Sequence, residues 1–369
     1  MMNKGMLRPQ NYINANGHTT NAQTNGSTTG TKNSHTMNAQ TYFLQEYNAY
    51  KQAVERTLET LIAEERPRSL YAPMRYVLAG GGKRIRPVLT MMSCAAVGGN
   101  PYDALLGGLA VEILHNFTLV HDDIMDKADM RRSRQTVHKK WNESAAILAG
   151  DGMMAIAYQT MMRSPNLERL HELVQALTTG IIEVCEGQAF DLEFQDQDDV
   201  SLDEYLLMIE KKTAKMLELA VKIGALVGNG TNAEIEALKQ YALALGKAFQ
   251  IQDDLLDATA ETIEFGKTIG GDIIEGKKTY LILRAAEKRE MLASAERDLL
   301  DRFFRERGLP KDDVAEMQAL FWRNGIVEDA RAAVEALTNE AHHELQILSH
   351  ADGRALLAQF SMMLLERKH

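Results

Sequence analysis

From about Thr41 to the C-terminus, apolar residues recur at i, i+3, i+4 and i+7 in segment after segment, with polar residues between them. That period lays one apolar stripe along a helix. It predicts helices over 41–65, 69–80, 84–97, 101–127, 134–161, 166–190, 202–228, 232–258, 276–289, 293–307, 311–323, 326–347 and 349–367. No stretch alternates apolar and polar residues as a half-buried strand would. Asn229-Gly230 follows a helical pattern and reads as its stop signal, not as a hairpin turn. The expected fold class is all-α, one large helical domain over 41–369. Residues 1–40, rich in Asn, Thr, Gly and Ser, predict a disordered tail.

Composition agrees with this pattern and narrows the function. The 369 residues are 45% hydrophobic and 25% charged, enough for a large core, and the 7 prolines leave long helices uninterrupted. A net charge of −10 argues against a nucleic-acid partner. The two cysteines, Cys94 and Cys185, make no disulfide framework; both are expected as small buried hydrophobes in a reducing cytoplasm. No run of about 18 apolar residues stands out, so no membrane span is expected.

The candidate chemistry lies in two acidic stretches of the same form. Asp122-Asp123-Ile124-Met125-Asp126 and Asp253-Asp254-Leu255-Leu256-Asp257 both read D-D-x-x-D and both end a long apolar helical pattern. Positions i, i+1 and i+4 of a helix fall at about 0°, 100° and 40°, so each triplet projects carboxylates to one side. A solvated acidic face would satisfy either stretch alone, but the apolar flanks weigh against it. Six carboxylates in apolar surroundings suit divalent cations shared with a polyanion.

Basic groups supply the other half. Gly80-Gly81-Gly82 precedes Lys83 and Arg86, one turn apart at a predicted helix start, where free N–H groups attract anions. His115 lies two turns before Asp122, and Arg131-Arg132 follow the first motif. Lys211-Lys212-Thr213 opens another helix, with Gln188 and Asp191 just before it on one face. Gln250 shares the face of Asp253, as an ordinary core amide or as a dipole aimed at developing charge. The loop 265–280 approaches G-x-x-x-x-G-K-[ST], but Lys278 fills the Ser/Thr position and no strand precedes it, which excludes a nucleotide P-loop. Lys267 and Lys277 instead suit a Gly/Lys loop closing over bound diphosphate.

Taken together, GGGKRIRP, LVHDDIMD with RR following, GQAFDLEF, KKT and FQIQDDLLD resemble, in order and spacing, the trans-type isoprenyl diphosphate synthases of the polyprenyl synthetase family. The resemblance covers nearly all of 41–369. It implies a helical bundle of the isoprenoid synthase type around a central active-site cavity. It implies a homodimer that joins isopentenyl diphosphate head-to-tail to allylic diphosphates, with Mg²⁺ as cofactor, three ions expected and Mn²⁺ as a substitute. On this chain it assigns Asp122, Asp126 and Asp253 to the metal, with Asp123, Asp254 and Asp257 in support. It assigns Arg131, Lys212 and Lys267 to the allylic diphosphate, and Lys83, Arg86, His115 and Arg132 to isopentenyl diphosphate. Thr213 and Gln250 stand beside the allylic carbon, and Gln188 and Asp191 line the same site.

Product length follows from the same resemblance. Five residues before the first motif, about 7–8 Å along the helix, stands Phe117, with Thr118 next to it. A bulky residue there resembles short-chain synthases, and the lack of a second aromatic at Thr118 resembles the geranylgeranyl type more than the farnesyl type or longer-chain enzymes. An ideal wheel puts Thr118 on the carboxylate face and Phe117 off it, so the helix bends or the channel runs beside it. A terpene cyclase or head-to-head enzyme would carry a different second motif, and a non-catalytic synthase subunit would lose acidic residues; this chain keeps all six aspartates.

Overall fold

The computed structural model describes residues 38–259 and 270–366. Almost every described element is helical. α1 (Ala39–Leu61), capped by Asn38, α2 (Arg68–Leu78) and α3 (Ile85–Ala96) lead into α4 (Leu105–Met125), the helix that ends in the first acidic motif. After it, Met130–Arg131 (β1) pairs antiparallel with Arg134–Gln135 (β2), followed by a single turn, α5 (Val137–Lys140). α6 (Glu143–Met161) and α7 (Leu170–Asp196) are long; α8 (Leu202–Ile209) continues through a π turn at Glu210–Ala214 into α9 (Lys215–Val227). α10 (Asn232–Thr259) carries the second motif. The rest comprises α11 (Gly271–Ile274), α12 (Tyr280–Glu287), α13 (Ser294–Glu306), α14 (Val314–Arg323), α15 (Ile326–Glu344) and α16 (Ala351–Leu365).

The apolar stripes bury into two large cores. One gathers α1, α3, α4, α9 and α16 with parts of α6, α7 and α10; the other gathers α8 with α12 to α15. α10 passes from one to the other: Leu238, Tyr241 and Leu245 belong to the first, Ile251, Leu255 and Ala258 to the second. The second acidic motif lies in that second portion. α4 and α9 are apolar almost all round, the pattern of helices enclosed by others.

Several sequence expectations change here. α1 starts at Ala39, so residues 39 and 40 are helical and not part of a tail. The single helix expected over 134–161 is a hairpin, a turn and then α6, because Arg132 and Ser133 take left-handed conformations and Asn142 caps a fresh start by accepting from the Ala145 N–H at 2.8 Å. The helix expected over 166–190 runs from Leu170 to Asp196, and the one over 202–228 is interrupted by the π turn. Residues 101–125 are, by length and composition, apolar enough to cross a membrane, contrary to the expectation of no such run; 67% of that window is buried inside the protein, and Glu112 within it is paired by Arg84. Cys94 is buried as expected, whereas Cys185 is exposed.

Candidate active site

The first motif sits at the C-terminal end of α4, and its three carboxylates differ. Asp126 is exposed, Asp122 half-buried and Asp123 buried. Asp123 accepts from Arg131 Nε at 2.6 Å. Burial pushes Asp122 up to about 6, reinforced by Asp126 and Asp123 and opposed by the Lys212 ammonium and Arg131. An aspartate in that state favours a nearby cation.

Lys212 comes from the π turn between α8 and α9. It bonds Asp191 of α7 while its charge reaches Asp122. Its neighbour Thr213 faces the other motif: the Thr213 hydroxyl donates to Gln250 Oε1 at 3.1 Å, and Gln250 Nε2 donates to Asp254 Oδ1 at 3.1 Å. Consecutive residues of one turn therefore touch the surroundings of both acidic motifs. Two glycines let that turn lie between helices. A Cβ at Gly187 of α7 would stand 2.2 Å from the Lys212 backbone nitrogen, and one at Gly246 of α10 would stand 2.5 Å from Ala214 Cα. A π turn widens the helix locally and is common where a side chain must be re-aimed at a site.

Asp254 is buried and accepts three hydrogen bonds. Tyr205 Oη donates to it at 2.5 Å, the Tyr280 backbone N–H at 3.0 Å and Gln250 at 3.1 Å. Burial nonetheless holds its carboxyl up near 7. Asp254 thus fixes α8, α10 and α12 to one another behind the exposed edge of the motif. Asp257 accepts from the Asp272 N–H at 3.0 Å. Asp272 in turn bonds Lys277 at 3.0 Å, and Lys277 also meets Glu275 at 2.8 Å. Asp253 is half-buried on the same helix. Gln188, buried on α7, has no hydrogen-bond partner for either amide atom among the described residues, a costly state for a buried amide. Lys267 lies outside the described residues.

Two turns before Asp122 on α4, arginines gather around His115. Gly81 and Gly82 take positive φ values, and Arg132 of the hairpin donates to the Gly81 carbonyl. Arg86 stands in the first turn of α3, its Nε unpartnered; burial lowers it to about 10, with Glu112 opposing and Arg132 assisting, so it stays charged at neutral pH. His115 is held neutral by burial and by the charges of Arg86, Arg132, Arg131 and Arg84. Lys83 is exposed. Arg86, Arg131 and Arg132 act on one another or on His115 through their charges, so positive charge is concentrated here.

The sequence reading missed what lies beside that cluster. Arg84 is buried, with Nε 2.8 Å from Glu55, Nη1 2.7 Å from Glu112 and Nη2 2.7 Å from the Leu78 carbonyl. Glu112 was detectable as the single acidic residue in the apolar run LLGGLAVEILHNF. Phe117, buried, packs its ring edge-on against His121 at 4.9 Å, and Thr118 donates to the His115 carbonyl at 2.9 Å. α4 continues unbroken as α-helix past both.

Comparison with known proteins gives the family. The polyprenyl synthetase family model matches residues 67–320. The chain belongs to the polyprenyl synthetase family. Within it, the chain is 37% identical to a short chain isoprenyl diphosphate synthase of Methanothermobacter thermautotrophicus, covering 87% of this chain and 97% of that one. It is 35% identical to a geranylgeranyl diphosphate synthase of Methanosarcina mazei, covering 86% and 95%. The crystal structure of a geranylgeranyl pyrophosphate synthetase from Pyrococcus horikoshii is similar, with a TM-score of 0.80 at 34% identity over 89% of this chain and 100% of that one. Family members are prenyltransferases, and this chain is one.

Proposed function

We propose that the chain condenses isopentenyl diphosphate head-to-tail with allylic diphosphates and releases an all-trans product of twenty carbons, geranylgeranyl diphosphate. The observation that carries this reading is the Lys212-Thr213 turn. Lys212 reaches Asp122, and Thr213 reaches Gln250 and, through it, Asp254, with the arginines around His115 two turns up α4. Two anion-binding regions beside one acidic pair suit two diphosphate substrates.

A divalent metal fits the donor set, which is all carboxylate oxygen. Among the described residues no three His, Cys, Asp or Glu side chains form a complete metal cluster by themselves, so the remaining ligands would be substrate oxygens and water. Asp122, Asp126 and Asp253 would hold it, as three Mg²⁺ with Mn²⁺ as substitute, and Asp123, Asp254 and Asp257 would brace them. When bound, it supplies positive charge opposite the departing diphosphate.

The protein's own groups do the rest. Arg131, Lys212 and Lys267 hold the allylic diphosphate. Lys83, Arg86, Arg132 and neutral His115 hold isopentenyl diphosphate. As the allylic C–O bond breaks, its electron pair leaves on diphosphate and the carbon gains positive character. The oxygens of Thr213 and Gln250 face that carbon and stabilise it. The new C–C bond forms from the isopentenyl double bond, and the proton then lost goes to the departed diphosphate. Gln188 and Asp191 line the cavity, and Lys277 with its loop closes it against water.

Product length rests on Phe117 as the floor of the channel. A homodimer accords with the exposed Ile147 and Leu148 of α6 and Ile182 of α7. Two unpaired cysteines accord with the cytoplasm.

The test is incubation of the pure protein with Mg²⁺, labelled isopentenyl diphosphate and allylic primers of five, ten and fifteen carbons. After phosphatase treatment a twenty-carbon alcohol is expected from each primer. No extractable alcohol would overturn the reading, and a fifteen-carbon end product would make this a farnesyl enzyme.

A further inference from the structure

α1 stands apart from both acidic motifs, yet two of its side chains reach the basic loop that follows α2. Tyr47 Oη donates to the backbone carbonyl of Lys83. Two turns further along the same helix, Glu55 takes Arg84 by Nε and Nη2, at 2.8 and 3.2 Å. The two residues thus held are the ones that set the loop's direction. Arg84 adopts a left-handed conformation, φ 53° and ψ 40°, which is unfavourable for a residue with a Cβ. That conformation is what lets Lys83 face outward while Arg86 enters the first turn of α3. Nothing local in Gly-Lys-Arg-Ile enforces it. The bonds to Glu55, to Glu112 of α4 and to the Leu78 carbonyl do.

We infer that Tyr47 and Glu55 are positioning residues for the isopentenyl diphosphate pocket, acting through the Lys83 carbonyl and the Arg84 guanidinium to aim Lys83 and Arg86. The inference rests on the function proposed above and extends it to α1. The allylic side has its own supports in α7, α8, α10 and the π turn, whereas the side-chain hydrogen bonds of Tyr47 and Glu55 among the described residues go to Lys83 and Arg84. Loosening the α1 contacts therefore acts on one substrate and spares the other.

Tyr47→Phe removes one hydroxyl and keeps the buried ring; Glu55→Gln keeps the shape and removes the charge. In the full-length protein, KM for isopentenyl diphosphate should rise ~5-fold in the first and ~10-fold in the second. KM for the allylic primer and kcat should each stay within about 2-fold of wild type. Tyr50→Phe is the control: it lies on the same helix, packs edge-on against Tyr102, and its hydroxyl bonds Glu46 of the same helix. It should lower the melting temperature without changing either KM. If Glu55→Gln fails to fold, Tyr47→Phe carries the test alone. Equal rises in both KM values, a fall in kcat alone, or unchanged kinetics would overturn the inference while leaving the prenyltransferase reading in place. A wild-type protein that makes no prenyl product would remove that reading and this inference with it.

Discussion

Gly187→Ala tests whether the π turn is what joins the two acidic regions. The added Cβ would meet three backbone atoms: Lys212 N at 2.2 Å, Lys212 Cα at 2.6 Å and Lys211 C at 2.7 Å. Ordinary contact between non-bonded heavy atoms begins near 3.5 Å, so something must move by on the order of 1 Å. No flexible side chain lies in the way to absorb the shift. The turn cannot retreat either, because Ala214 already rests on Gly246 of α10. α7 must therefore separate from the turn, carrying Asp191 away from Lys212 and loosening Thr213 on Gln250. Overpacking of this kind costs about 1–3 kcal/mol of stability. A misplacement of roughly 1 Å at a reacting centre costs about 100-fold in rate. Steady-state kinetics should show kcat/KM falling by about that factor, while urea denaturation shows a protein still folded at 25 °C. Gly180→Ala, two turns earlier on α7, is the comparison. Its Cβ would meet only the Leu219 side chain, at 2.7 Å for the nearest methyl, which can turn away. It should lose stability and keep most of its activity. Gly187→Ala with wild-type kcat/KM would refute the role given to the turn.

Other predictions follow from the same geometry. Arg84→Met leaves Glu112 buried without its arginine, and should cost about 3–5 kcal/mol in denaturant unfolding; adding Glu112→Leu should recover much of that, and a double variant no more stable than the single would contradict the buried pairing. Asp122, held up near 6 by burial, keeps its proton in the folded chain where the unfolded chain has lost it. Without metal, its contribution to stability is therefore greatest below about pH 4 and falls by on the order of 2 kcal/mol as pH rises through 6. In chelator, Asp122→Asn should flatten that part of the pH profile, and an unchanged slope would show that Asp122 does not titrate there. Phe117→Ala should lengthen the products seen by chromatography; an unchanged profile would mean that another residue forms the channel floor.

What the sequence could reveal depended on whether the interaction was local. Helix periodicity exposed nearly every long helix, because an apolar stripe is a property of a dozen consecutive residues. The acidic triplets and the basic clusters were legible for the same reason. Interruptions were not. The π turn at 210–214 continues an unbroken apolar period, and only the approach of Gly187 and Gly246 from distant helices explains it. The hairpin at 130–135 depends on left-handed Arg132 and Ser133, which no propensity favours. Arg84 looked like one more cation in a basic run, yet it is the buried one, because Glu55 and Glu112 come to it from 29 and 28 residues away. By sequence Gln250 suits a core amide or a dipole alike; in the structure it is bonded at both ends, to Thr213 and Asp254.

On the proposed function, Asp122 and Asp253 are opposite walls of one metal-diphosphate site. Calorimetric titration of inorganic pyrophosphate with Mg²⁺ into wild type, Asp122→Ala and Asp253→Ala tests it most directly. Either substitution alone should abolish the same Mg²⁺-dependent binding event. Two separable events, each lost in only one variant, would contradict it.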